Sequence, residues 1–182
     1  MIARTVRFVL LFLFIAFRSG YAQWTPVSGP GAGHTKDIIK FNNEIFCGTQ
    51  SGDIFTSTDE GTTWNYKGTV DVETSEQLNT IAANSTSFFA GTFTKLFRSN
   101  DAGVNWTPVI NNIYVEKIIT VNENIFAAAQ NGVYTSMDNG LSWLNITSDL
   151  PDTFVTSISS HGSDLFAAVS GQGVYRSTNN GT

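Results

Sequence analysis

The chain has 182 residues, 41% of them apolar and 13% aromatic, with a net charge of −5 and one cysteine. That acidity excludes nucleic acid and anionic membrane surfaces as partners, because neither offers the positive charge it would need. A single cysteine excludes an internal disulfide, so stability must rest on a packed core.

The opening residues, MIARTVRFVLLFLFIAFRSGYA, read as a secretory signal over 1–22. Arg4 and Arg7 supply the positive start, ten apolar residues run from Phe8 to Phe17, and Gly20-Tyr21-Ala22 supplies small residues for cleavage. Ten residues fall short of the roughly 20 needed to cross a bilayer. Cleavage leaves residues 23–182 with seven basic and fifteen acidic groups, a net −8. The expected location is secreted (extracellular, cell surface or periplasmic), with no membrane span after cleavage.

The mature chain opens on an isolated "QWTPV" around Trp24. An apolar run "DIIKF" follows from Asp37, then a polar turn and "IFCGT" from Ile45, then a second turn and "IFTS". Next comes the phrase "STDEGTTW" from Ser57 to Trp64, which leads into "WNYKG". The order then repeats. "LNTIAA", "FFAGT", "LFRS" and "SNDAGVNW" end at Trp106; "EKIITV", "IFAAA", "VYTS" and "SMDNGLSW" end at Trp143; "FVTSIS", "LFAAV", "VYRS" and "STNNGT" reach Thr182. The tryptophans at 24, 64, 106 and 143 are spaced by 40, 42 and 37 residues.

Four short strands per unit of about 40 residues predict an all-β chain, a β-propeller with four-stranded antiparallel blades. Four blades are expected, over 24–64, 65–106, 107–143 and 144–182. The middle runs are apolar at successive positions, as a sheet covered on both faces requires; one wet face would give alternation. Cys47 shares a column with Ala90, Ala127 and Ala167 and reads as a small core residue.

The repeated phrase then has a structural role, which is to close the outer hairpin of each blade. Its residues are Ser57, Asp59, Gly61 and Trp64; Ser99, Asp101, Gly103 and Trp106; Ser136, Asp138, Gly140 and Trp143; and Ser177, Asn179 and Gly181. A short carboxylate accepts backbone amides of its own turn, glycine supplies the positive φ, and the indole covers the hairpin.

These phrases resemble the Asp-box, or BNR, motif Ser-x-Asp-x-Gly-x-x-Trp of sialidases, sortilin-type receptors, some plant-cell-wall glycosidases and a photosystem assembly factor family. The resemblance implies boxes that are structural and lie away from any active site. It departs from the pattern at Asn179. The sialidase activity does not carry over, because its arginine triad needs three residues and the mature chain has two, Arg98 and Arg176.

Strand direction puts the inter-blade loops and the second-to-third strand turns on the face opposite the boxes. That face supplies the candidate ligand contacts: Gln50, Asp53, Glu73, Lys95, Asn111, Tyr114, Gln130, Asn131, Asp152 and Gln172. Their polar amides and few aromatics suit a protein or carbohydrate ligand. No catalytic residue, metal ligand or cofactor is assigned. The alternative is a two-carboxylate glycoside hydrolase drawing on Asp53, Asp71, Glu73, Glu76, Asp149 or Asp152. Two arrangements fit the incomplete fourth box: closure by Trp24 and "TPV", or membership of a larger propeller, which is preferred.

Overall fold

The computed structural model describes residues 25–27, 29–30, 33–73 and 76–181. The signal segment and Trp24 lie outside the described residues. Fifteen strands and no helix make up the described chain, in four antiparallel sheets.

The first sheet orders β1 (Thr35–Phe41), β2 (Glu44–Thr49), β3 (Asp53–Ser57) and β4 (Asn65–Thr69) in sequence. The second contains β5 (Leu78–Ala83), β6 (Phe88–Thr92), β7 (Lys95–Ser99) and β8 (Thr107–Asn111). The third contains β9 (Val115–Val121), β10 (Asn124–Ala129), β11 (Gly132–Ser136) and the two-residue β12 (Leu144–Asn145). The fourth has three strands among the described residues, β13 (Val155–His161), β14 (Asp164–Val169) and β15 (Gly173–Ser177), where the repeat predicts four.

Each sheet is an up-and-down meander, so its first strand forms one edge. These first strands pack in succession, β1 on β5, β5 on β9 and β9 on β13. A bulge recurs near the start of each first strand, at Thr35/Asp37, Leu78/Thr80 and Val155/Ser157, and opposite it at Ala128/Ala129 in the third sheet. Bulges increase local twist, which helps successive blades fan out.

The core lies between blades in three layers. Phe46 and Ile54 meet Ile81, Phe88, Ala90 and Phe97. Ala82, Phe89 and Leu96 meet Ile118, Ile125 and Ala127. Phe126, Ala128 and Val133 meet Ile158, Leu165 and Ala167. Accordingly β6 is buried at every position and β10 at five of six. The outer blades differ. In β14 burial alternates along the apolar run from Leu165 to Val169, because none of the described residues covers its second face.

Polar side chains bind the blades where backbone edges would otherwise stay unpaired. Asp37 accepts the Ile81 amide at 3.0 Å, the Thr80 hydroxyl at 2.9 Å and the Lys117 ammonium at 3.0 Å. One carboxylate therefore joins three first strands. Cys47 is buried beside it, and that burial raises its thiol pKa, so it is a core residue rather than a reactive one.

Candidate functional site

The two ends of the blades differ in chemistry. One end carries the Ser-Asp-Gly-Trp hairpins. In the second blade, Ser99 Oγ donates to Asp101 Oδ1 at 2.7 Å and accepts the Gly103 amide at 2.9 Å. Asp101 then accepts the Asn105 amide at 2.9 Å and its side-chain Nδ2 at 2.7 Å. Trp106 Nε1 donates to the Gly103 carbonyl at 3.0 Å. The set recurs at Asp59 with Thr63 and at Asp138 with Ser142, and Trp64 and Trp143 donate to Gly61 and Gly140. Ser177 keeps its bonds to Asn179 and the Gly181 amide.

Each of these glycines has φ between 79° and 87°, and the residue before it, Glu60, Ala102, Asn139 or Asn180, is also left-handed. The turn thus needs two consecutive positive-φ residues, where the sequence signals only the glycine. Each complete tryptophan sits just ahead of the outer strand, not in it.

Hydrogen bonds to the charged form hold Asp101 and Asp138 at a pKa of about 2, led by Asn105 and Ser142, and lower Asp59 through Thr63. A carboxyl with a folded pKa below its unfolded value adds stability that is complete above the unfolded pKa. That stability is lost as pH falls through the folded one. Thermal melts should therefore lose stability between about pH 4 and pH 2, and Asp101→Ala should flatten part of that slope. A midpoint independent of pH across this window would contradict the bonding described.

Both arginines among the described residues belong to this end. Arg98 donates to the Asn139 carbonyl at 2.6 Å and to Ser87 at 2.9 Å, bridging the second blade to the third hairpin. Arg176 pairs with Asp164 in its own blade.

The opposite end is built from the loops that lead between blades. The Ile113 amide donates to the Thr94 carbonyl at 3.0 Å, and the Gln130 amide donates to the Tyr114 carbonyl at 3.0 Å. These bonds hold Tyr114 between the second and third blades. Its ring meets Phe93 edge-on with centroids 4.8 Å apart, and both rings remain half-buried. Burial and then the Glu116 carboxylate raise the Tyr114 pKa, so its hydroxyl stays protonated. Lys95 pairs with Glu73 at 2.7 Å and lies opposite Asn111 in the β7–β8 ladder. Glu76 accepts the Thr92 and Thr94 hydroxyls of the same turn.

Glu73, Lys95, Asn111, Tyr114 and Gln130 are thus drawn toward one inter-blade junction. Gln50 and Asp53 lie on the first blade's turn; the Gln50 carbonyl accepts the Leu78 amide, and Asp53 accepts Ser51 and Thr69. The Asn131 carbonyl accepts Asn145, and Asp152 accepts the Phe154 amide within the fourth blade's approach loop. The Gln172 amide donates to Val169 in the last turn. Phe93 is a contact that the sequence reading does not include. Its signal is the turn "TFTK", where the first and third blades read "TQSG" and "AQNG".

The Glu73–Lys95 pair lowers the Glu73 pKa, the reverse of what a general acid requires. Among the described residues no group of three or more His, Cys, Asp or Glu is placed to hold a metal ion, and no helix is long and apolar enough to cross a membrane.

The sequence matches no protein-family profile and no curated protein. Solved structures do match. YCF48 bound to D1 peptide superimposes with a TM-score of 0.68 at 14% identity, over 89% of this chain and 60% of that one. An ancestral GH74 enzyme gives 0.67 at 22% identity, over 86% of this chain and 24% of that one. The extracellular domain of a proposed one-component system from B. thetaiotaomicron gives 0.63 at 15% identity, over 78% and 21%. This chain therefore spans less than two thirds of each of these neighbours. At such identities the likeness concerns the fold alone, and the fold of this chain is an all-β propeller of antiparallel blades.

Proposed function

We propose that this chain is a secreted or cell-surface propeller of Asp-box repeats that binds a protein or carbohydrate ligand without chemistry of its own. Contact is made by the end opposite the Ser-Asp-Gly-Trp hairpins. The observation that carries this reading is the Phe93–Tyr114 pair, two half-buried rings at an inter-blade junction beside Lys95, Glu73 and Asn111. Aromatic side chains with a polar tip suit ligands that are wet on one side and apolar on the other. A propeller neighbour solved with a peptide bound, and another that is an extracellular domain, support the class of role.

The test probes a glycan array and a random-peptide array with the labelled protein. Binding to one class is expected, weakened about tenfold or more by Tyr114→Ala, a loss of roughly 1.4 kcal/mol. Asp101→Ala should lower the melting temperature and leave affinity per folded molecule unchanged. Silence on both arrays, or binding lost in Asp101→Ala and kept in Tyr114→Ala, would overturn the reading.

A further inference from the structure

The junction between the second and third blades combines two aromatic rings with an uneven set of charges. Phe93 and Tyr114 meet with centroids 4.8 Å apart and planes at 67°. Rings set this way bound a corner with two π-faces, both half-buried in their surroundings. A sugar ring needs one flat, open face to stack on. A compact cation instead is drawn to the negative faces of rings and can touch two of them at a corner.

The charges around the corner favour the same kind of group. Lys95, two residues from Phe93, bonds to Glu73 at 2.7 Å. That bond raises its pKa, and the charges of Glu76 and Asp71 raise it further. Glu76 is held in the turn by the hydroxyls of Thr92 and Thr94, which donate to its carboxylate. At the start of β9, Glu116 follows Tyr114 by two residues, and its charge bears on the Tyr114 hydroxyl. Four carboxylates and one ammonium therefore belong to this junction, and among the described residues only Glu73 of the four is ion-paired. Lys95 already shows what the junction holds, since its ammonium lies among three of those carboxylates. Asn111 and Gln130 flank the corner as exposed amides, which both donate and accept as a peptide backbone requires.

We infer, resting on the reading that this end binds the ligand, that the ligand is a protein segment entering the junction with a lysine or arginine side chain. The cation seats in the Phe93–Tyr114 corner, and Glu116 together with the Glu73–Glu76 group draws it in. Lys95 is the internal cation with which the ligand competes. It neutralises Glu73 and weakens the field that an incoming side chain meets. Removing the Lys95 charge therefore acts in the opposite direction to removing the Tyr114 ring.

The experiment takes the strongest binders from the random-peptide array and titrates each by fluorescence against the folded full chain. They should be enriched in lysine and arginine, and replacing those residues by glutamate in a selected peptide should weaken it about tenfold or more. Raising the ionic strength from about 0.05 M to about 0.5 M should weaken it about fivefold, as salt shortens the reach of the carboxylates. Glu116→Gln should weaken it about threefold, and Lys95→Met, which keeps the apolar stem and removes the charge, should strengthen it about threefold. Selected peptides without basic residues, or Lys95→Met weakening binding as Tyr114→Ala does, would overturn this inference and leave the binding end in place. Binding confined to glycans and lost in Tyr114→Ala would do the same. Silence on both arrays, or binding that survives Tyr114→Ala, would overturn the underlying reading and this inference with it.

Discussion

Phe126→Ala is expected to cost about 3–5 kcal/mol in urea unfolding, the range for deleting a fully buried aromatic side chain. Phe126 has no exposed surface and sits where the third blade packs on Val155, Ile158, Leu165 and Ala167 of the fourth. The ring bears on both blades, so its removal leaves a cavity that neither backbone can close without separating from the other. Phe126→Leu keeps most of the volume and should cost under about 1.5 kcal/mol. A loss below about 1 kcal/mol for the alanine variant would mean that the blades do not pack through this layer.

The second large effect is predicted at Gly68. By strand register Gly68 of β4 corresponds to Ile110 of β8, since Ile54 pairs with the first and Leu96 with the second. The repeat alone would recommend Gly68→Ile. The structure opposes it, because a Cβ at Gly68 would lie 2.5 Å from the Val104 carbonyl oxygen and 2.6 Å from that of Gly103. Both oxygens are backbone of the next blade's hairpin, so the clash cannot be relieved by a rotamer change. Gly68→Ile should destabilise by about 3 kcal/mol, the upper part of the overpacking range. Equal or higher stability in chemical denaturation would show that the first and second blades are less closely seated than described.

These two sites show what a repeat reveals and what it hides. The strands are legible because each repeats an apolar column that recurs four times, from the Ile38 column to the Val174 column. Hairpin closure by Ser99, Asp101 and Trp106 can be read from spacing, since those contacts are local in sequence. Contacts between blades cannot. Gly68 has no left-handed backbone to betray its glycine; the reason for it lies 35 residues away at Gly103. Ile38 and Val174 carry the same apolar character as their buried counterparts, so sequence cannot tell a covered blade face from an open one. The pairing of Asp37 with Thr80 and Lys117 is hidden for the same reason. At the candidate site, Tyr114 and Lys95 are visible as departures from small polar loops. Phe93 escapes notice because it follows a strand rich in phenylalanine and passes as part of the core.

Hairpin locking by the recurrent acids is the claim on which the rest depends most. A pH titration of the aspartate carboxyl carbons by NMR tests it residue by residue. Asp101 and Asp138 should titrate near 2, well below the ordinary 3.8, and the Asp101 midpoint should move back toward 3.8 when Ser99 and Asn105 are both replaced by alanine. Midpoints of about 3.8 in the folded wild-type chain would show that these carboxylates do not hold the turns, and the claim would fail.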